Sequence, residues 1–128
     1  MFKKIDHVEI TPTNYQRTMD FYTKILGFKV KESKKIGRPP LDEIAYIELG
    51  GTVIELLSVT NAPSAPYNPW QAGYRMIAIE VENMDEAMEY LKGKGVEIAQ
   101  VPVDLGDCIR GEIKDPDGLH IELREWYR

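Results

Sequence analysis

The chain has 128 residues, of which 43% are hydrophobic and 29% charged, and its formal net charge is −5. This composition is typical of one globular domain with its own core, and the negative charge excludes a nucleic-acid surface, which needs clustered Lys and Arg. No apolar run approaches the roughly 20 residues that span a bilayer, and the first residues lack a signal-peptide core, so we expect no membrane association and a cytoplasmic location. Cys108 is the single cysteine, which excludes an intrachain disulfide.

The first half of the chain predicts a β-α-β-β-β unit. Residues 5–10 alternate between apolar and polar side chains, as a strand does. Residues 14–26 carry apolar side chains at helical spacing, after a capping-box pattern formed by Thr13 and Gln16 and before Gly27. The other predicted elements of this half are a strand over 28–34, a mobile loop over 36–40, and a hairpin of strands 43–49 and 52–58.

A proline-rich connector, residues 59–73, leads to a second copy of the same pattern. It begins with a strand over 75–82. Asn83 and Glu86 then form a plausible capping pair for a helix with apolar residues at i, i+3, i+4 and i+7. This helix is predicted to end near Gly93 or Gly95. Three strands follow: the first starts at about residue 95, and the other two occupy about 107–114 and 119–125.

Two turn-and-strand segments are related by a constant offset. Glycine precedes an alternating strand in both, and 67 residues separate Gly51 from Gly118 as well as Glu55 from Glu122. This internal repeat predicts an α+β fold with two tandem βαβββ units in a single domain. The sheets, which meet either within one chain or across a dimer, are expected to form a shared half-barrel cleft with the helices outside. The predicted units are residues 1–58 and 74–128.

Polar side chains are predicted to lie on the inner faces of the first and last strand of each unit. The four positions are His7, Glu55, Met76 and Glu122. Carboxylates between apolar neighbours on central strands need a cation or a proton, so these positions suggest a binding site. Simpler interpretations stay open, because a lone histidine is often only hydrogen-bonded on a sheet face, and the glutamates can be paired with arginines such as Arg75, Arg110 or Arg124.

These features resemble the vicinal oxygen chelate superfamily, which contains glyoxalases, bleomycin resistance proteins and extradiol dioxygenases. The resemblance covers nearly the whole chain and implies the fold described above and a homodimer. It does not imply one reaction, because this fold hosts isomerases, epimerases, dioxygenases, transferases and metal-free binding proteins. The matching segments are Ile5-Asp6-His7-Val8, residues 20–28, Val53-Ile54-Glu55-Leu56-Leu57, Ile77-Ala78-Ile79-Glu80-Val81, Asp115-Pro116-Asp117-Gly118 and Ile121-Glu122-Leu123.

The resemblance also implies a ligand set, because each of four cleft strands supplies one metal ligand in the family's metalloenzymes. The corresponding positions here are His7, Glu55, Met76 and Glu122. The family usually has histidine where this chain has Met76, and a thioether is a weak ligand for Zn, Ni, Mn or Mg. We therefore expect a divalent metal (Zn, Ni, Mn, Fe, Co or Mg) held by His7, Glu55 and Glu122, or no metal at all.

The leading functional prediction is a glyoxalase-like metalloenzyme, a lyase or an isomerase or epimerase. It would stabilise the enediolate of a small α-oxygenated carbonyl substrate on the metal. Glu55 and Glu122 are the predicted catalytic residues, and Glu122 is the general base by resemblance to glyoxalase I. The predicted substrate contacts are Met76, Tyr46, Trp70 and His120. Trp70 and Tyr67 are interpreted as a lid over the site, as a pin between the two halves, or as part of a dimer interface.

The alternative prediction is a metal-free protein that binds a planar or hydrophobic compound, as bleomycin resistance proteins do. Met76 favours this alternative, since methionine suits the walls of apolar pockets. His7, Glu55 and Glu122 oppose it, because a pure binder does not need them. An extradiol dioxygenase is a third possibility, although the resemblance implies two histidines and one glutamate for those enzymes and this chain lacks the second histidine.

Overall fold

The computed structural model describes residues 1–66 and 68–128, which form two compact units, Met1–Ala65 (unit 1) and Pro66–Arg128 (unit 2). Tyr67, one of the two predicted lid residues, lies outside the described residues. None of the helices in the described ranges is both long enough and apolar enough to cross a membrane.

Unit 1 is a four-stranded sheet with one helical segment. The strands lie in the order β1-β4-β3-β2, and β1 runs parallel to β4 whereas the other neighbours are antiparallel. Helix α1 contacts β4. The elements are β1 (Val8–Ile10), α1 (Tyr15–Asp20) continued by a π-helical turn (Phe21–Ile25), β2 (Lys29–Arg38), β3 (Leu41–Leu49) and β4 (Thr52–Val59).

Unit 2 repeats this topology. Its strands lie in the order β5-β8-β7-β6, with β5 parallel to β8 and the other neighbours antiparallel. Helix α2 contacts β8, as α1 contacts β4. The predicted βαβββ repeat is therefore confirmed in each unit. The elements are β5 (Ile77–Glu80), α2 (Met84–Gly93), β6 (Ile98–Asp104), β7 (Cys108–Lys114) and β8 (His120–Trp126).

Strand register shows which residues are equivalent in the two units. Glu55 is paired with Glu9 across the parallel strands of unit 1, and Glu122 is paired with Ala78 across those of unit 2. Glu55 and Glu122 therefore occupy the same position of their sheets, as the 67-residue offset predicted. His7 and Met76 each precede the paired residue by two positions, which makes them equivalent as well.

Each sheet buries one face, as the alternation of its strands predicts. In unit 1, Leu56 on β4 and Ile47 on β3 are fully buried. In unit 2, Ile121 and Leu123 on β8 are buried, whereas Glu122 between them belongs to the opposite, partly exposed face. The polar faces are thus placed by the strands whose reverse sides form the cores. Cys108 is one of the buried core residues.

Local signals account for the helix starts and the main turn. Asn83 caps α2 as predicted, because its side chain accepts a hydrogen bond from the Glu86 amide at 2.9 Å. The cap of α1 is Asn14 and not the predicted Thr13, since the Asn14 side chain is the one that the Arg17 amide reaches, at 3.0 Å. The Asp-Pro-Asp-Gly turn is confirmed, and Oδ1 of Asp115 accepts hydrogen bonds from the amides of Asp117 and Leu119, each at 2.9 Å.

Three predicted boundaries were wrong. Residues 36–38 continue β2 instead of forming a mobile loop, because Arg38 pairs with Leu41 and the two prolines that follow form the turn itself, where no strand amide is needed. The predicted helix over 14–26 changes from α to π at Phe21. The first strand was predicted from residue 5 but begins at Val8.

Two glycines at the end of α2 predict opposite effects of the same substitution. A Cβ atom added at Gly93 or Gly95 meets nothing within 4 Å, but Gly95 alone has a positive φ, of +75°. Gly93→Ala should stabilise the protein by about 0.5–1 kcal/mol, because alanine loses less entropy in a helix. Gly95→Ala should destabilise it by about 1–2 kcal/mol, because a Cβ disfavours this conformation. Urea unfolding measures both values, and equal effects of the two substitutions would contradict the prediction.

Candidate metal centre

The polar face of unit 1 is organised around a buried carboxylate. Glu55 lies on β4, between β1 and β3, and only 8% of its surface is exposed. Its Oε1 atom is 3.1 Å from Nε2 of His7, just before β1. An isolated buried carboxylate is costly, so the imidazole supplies the partner that Glu55 needs. The structure thus brings together two of the residues that were predicted as metal ligands.

The second ring nitrogen of His7 also has a carboxylate partner. Nδ1 of His7 is 2.8 Å from Oδ2 of Asp6. This hydrogen bond favours the tautomer with the proton on Nδ1, which leaves the Nε2 lone pair for a ligand. Histidines that bind metals in proteins usually donate their other N–H in this way.

Carboxylates on both sides of the ring change its acidity. The hydrogen bond to Asp6 raises the pKa of His7 above its ordinary value of 6.5, and the hydrogen bond to Glu9 raises that pKa further. The same contact holds the pKa of Asp6 below its usual value. When His7 is protonated, the proton on Nε2 occupies the place of a cation, and a metal that binds there must displace it.

Glu9 is the third member of this group and was not among the predicted site residues. Its Oε2 atom is 3.3 Å from Nε2 of His7, and the ligand atoms of His7, Glu9 and Glu55 all lie within 4.8 Å of one another. One imidazole nitrogen and two carboxylate oxygens are a donor set that suits zinc and harder divalent cations. Glu9 could have been identified from the alternation of the first strand, which places it on the same face as His7.

Tyr46, which was predicted as a substrate contact, lies beside this group. Its ring meets that of His7 edge to face, with centroids 5.8 Å apart. Burial raises the pKa of the Tyr46 hydroxyl, and the charge of Glu55 raises it further. Asp6 and Tyr46 both line an open cavity of about 300 Å³, to which Lys4 and Lys31 add positive charge. This volume is within the range of small-molecule pockets.

The equivalent position in unit 2 is held by arginines. Nε of Arg110 is 2.6 Å from Oε1 of Glu122, and Nη2 of Arg124 is 3.0 Å from Oε2. Arginine pairing, one of the interpretations left open for the glutamates, is thus confirmed for Glu122. Its predicted roles as a metal ligand and as a general base stay predictions.

Arg110 connects most of the other polar residues on this face. Its Nη1 atom is 2.6 Å from Oε2 of Glu112 and also donates to the side-chain oxygen of Gln100, and its Nη2 atom is 3.9 Å from the sulfur of Met76. His120, a predicted substrate contact, lies 2.9 Å from Glu112 through Nδ1. The predicted residues Met76, His120 and Glu122 therefore belong to one ion-pair network.

Glu112 is a buried member of this network that sequence reasoning missed. Burial opposes ionisation of its carboxyl group, but hydrogen bonds from His120 and Arg110 outweigh that effect and hold the pKa of Glu112 below its usual value. Glu112 could have been identified from the alternation of β7, which places Arg110 and Glu112 on one face. Glu112 lies directly opposite Glu122 in the sheet.

Trp70 is the remaining predicted substrate contact. Its side chain is 85% exposed, and the guanidinium carbon of Arg75 lies 5.3 Å from the centroid of its ring. This cation–π contact is local to the start of unit 2. The role of Trp70 as a lid or a substrate contact stays a prediction.

The contact between His7 and Asp6 predicts a measurable titration. In the metal-free protein the His7 pKa should exceed 6.5, and Asp6→Asn should lower it because the asparagine carries no charge. Since the folded state binds this proton more tightly than the unfolded state, the associated stability is complete below pH 6.5 and is lost as the pH rises through the folded pKa. NMR titration measures both pKa values, and His120→Gln removes the only other histidine signal. An unchanged pKa in Asp6→Asn would contradict the prediction.

Comparison with known proteins confirms the resemblance seen in the sequence. Residues 4–123 match the model of the Glyoxalase/Bleomycin resistance protein/Dioxygenase superfamily. The chain is 32% identical over 133 residues to the uncharacterized protein YwkD of Bacillus subtilis, with 98% of each chain covered. It is also 32% identical to a lactoylglutathione lyase of Neisseria meningitidis, over 91% of this chain and 86% of that enzyme.

Solved structures agree with this assignment. The crystal structure of a glyoxalase family protein from Enterococcus faecalis is 33% identical in sequence and superposes with a TM-score of 0.84. The match covers 97% of this chain and 98% of that protein. The fold, the repeated topology and the family match together show that this chain belongs to the glyoxalase, bleomycin resistance protein and dioxygenase superfamily.

Proposed function

We propose that this protein is a glyoxalase-like metalloenzyme, a lyase or an isomerase or epimerase that acts on a small α-oxygenated carbonyl substrate. The observation that carries the proposal is the contact between His7 and Glu55, a buried carboxylate 3.1 Å from an imidazole nitrogen. The similarity to a lactoylglutathione lyase supports the lyase interpretation. A homodimer and a cytoplasmic location stay predictions from the resemblance.

The residues of unit 1 fit a divalent cation. Neutral His7 offers the Nε2 lone pair, because Asp6 accepts the proton on Nδ1, and Glu55 offers a carboxylate oxygen on the same side of the ring. A cation bound there would act as a Lewis acid that polarises the substrate oxygens and favours loss of a proton from the adjacent carbon. Tyr46 and the cavity that it lines provide a wall and space beside these ligands.

We propose that Glu122 accepts the substrate proton, as its resemblance to the general base of glyoxalase I implies. Arg110 and Arg124 contact its two carboxylate oxygens, and each of these oxygens has a second lone pair for a proton or a hydrogen bond. In this role the arginines hold the carboxylate in one orientation, which is what proton transfer at a defined atom requires.

A metal-free binding protein is the second candidate function. Met76 favours it, because a thioether replaces the usual histidine and its sulfur is next to Arg110, not a carboxylate. An apolar or planar ligand would then be bound without turnover.

Metal content separates the two candidates. Protein purified without added metal or chelator should contain close to one divalent ion per chain by elemental analysis, and His7→Ala should lose it, because the only imidazole of the group is removed. The matched control is His120→Ala, which removes the other histidine and should keep the metal. No metal in the wild-type protein, together with no thermal shift on addition of Ni, Zn, Mn or Mg, would contradict the enzyme proposal.

The role of Glu122 predicts a loss of activity without a loss of metal. Glu122→Gln should lower kcat by roughly 100-fold or more, which is the usual contribution of a general base. Turnover is measured first on thiol adducts of α-keto aldehydes and then on epimerisable acyl thioesters. Circular dichroism checks the fold of the variant, because glutamine removes one charged partner from each of two arginines. Full activity in Glu122→Gln would contradict the assignment.

A further inference from the structure

We infer that Glu9 is a metal ligand and that it completes, with His7 and Glu55, a metal site contained within unit 1. This inference rests on the proposed function and assigns its ligands differently from the family pattern, in which Met76 and Glu122 occupy ligand positions. Glu9 would supply the third protein ligand, and the remaining coordination positions would stay open for substrate oxygens or water, as in catalytic metal sites.

The position of Glu9 follows from the short first strand. Glu9 is two residues beyond His7 and directly opposite Glu55, so that the three side chains share one face. Oε2 of Glu9 and Oε1 of Glu55 lie 3.3 Å and 3.1 Å from the same atom, Nε2 of His7. Two carboxylates already converge on one nitrogen, and both can turn to a cation placed between them and the ring.

Unit 2 has no glutamate at the position equivalent to Glu9. The residue equivalent to Glu9 is Ala78, because Ala78 is paired with Glu122 as Glu9 is paired with Glu55. The residue equivalent to His7 is Met76. One unit therefore has a histidine and a second carboxylate beside its buried glutamate, whereas the other has a thioether and a methyl group there. Among the described residues, His7, Glu9 and Glu55 form the group whose potential ligand atoms all lie within 4.8 Å of one another.

The charge of Glu122 is already compensated. Arg110 and Arg124 contact its two oxygens at 2.6 and 3.0 Å, and the side chain of Arg110 is only 15% exposed. Moving Glu122 to a metal would leave these guanidinium groups with fewer partners in a partly buried place, which is costly. Among the described residues, no arginine or lysine forms an ion pair with Glu9, whose close partner is His7. The arginines therefore oppose a role for Glu122 as a metal ligand.

Metal affinity of single variants tests this ligand set without reference to turnover. Metal-free protein is titrated with Co(II), and binding is measured by calorimetry and by the visible absorption of the bound ion. Glu9→Gln should weaken binding by about tenfold or more, since loss of even an outer-shell partner costs about 10–100-fold. Glu9→His should retain binding, because imidazole can replace the carboxylate as a ligand.

Two controls make the result specific. Glu80→Gln changes a glutamate that lies on the first strand of unit 2 and is exposed to a similar extent, 60% against 56% for the side chain of Glu9. It should leave Co(II) affinity unchanged, and so should Glu122→Gln. Glu9 is exposed, so its variants should fold. Far-UV circular dichroism of each protein checks this expectation.

The outcomes separate the inference from the proposed function. Binding that is lost in His7→Ala but unchanged in Glu9→Gln would overturn the inference and leave the metalloenzyme proposal intact. Binding that is weakened in a folded Glu122→Gln but not in Glu9→Gln would overturn it in favour of the family pattern. Absence of Co(II) binding by the wild-type chain would overturn both. Weakening in Glu9→Gln alone, with recovery in Glu9→His, supports it.

Discussion

The buried carboxylate of Glu55 is the constraint on which the polar face of unit 1 depends. It lies on a central strand whose reverse side forms the core, and it is 8% exposed, so an ionised group there needs a positive partner. His7 provides that partner, and Asp6 in turn orients His7. In the metal-free state a proton on the imidazole satisfies this arrangement. In the proposed metal-bound state a divalent cation would bring two charges to a place where two glutamates converge.

The two units solve the same electrostatic problem in different ways. Glu55 and Glu122 occupy equivalent positions, but Glu55 faces a histidine whereas Glu122 is held by Arg110 and Arg124. Arginine is permanently charged, so Glu122 is compensated at every physiological pH, whereas the imidazole that faces Glu55 can gain or lose a proton. This asymmetry within a repeated fold gives the units different chemical capacities.

The sequence predicted the fold well because its information is periodic. Alternation placed Ile121 and Leu123 in the core and Glu122 on the opposite face, and the 67-residue offset identified the equivalence of Glu55 and Glu122 before any register was known. Boundaries were less accurate. Residues 36–38 contain a glycine and precede two prolines, so composition favoured a loop, whereas pairing with β3 extends the strand.

The candidate site was predicted less completely than the fold. Parity assigns a residue to a face but does not say how far its side chain reaches, and long side chains decide this site. Arg110 extends from β7 to contact Glu112, Glu122 and the sulfur of Met76, and Glu9 turns back toward His7. These contacts depend on rotamers selected by neighbours in the folded state. Strand alternation identified His7, Glu55 and Tyr46, because each lies on the predicted face and its side chain contacts its neighbours without a long reach.

The most direct measurement of the central claim is anomalous diffraction at the zinc edge from crystals grown with Zn(II). The account predicts a peak in the anomalous difference map about 2.0–2.2 Å from Nε2 of His7 and from a carboxylate oxygen of Glu55, the usual lengths of zinc bonds to nitrogen and oxygen. Such a peak would establish unit 1 as the metal-binding unit. A map in which His7 and Glu55 remain in direct contact, with no peak beside them, would contradict the account.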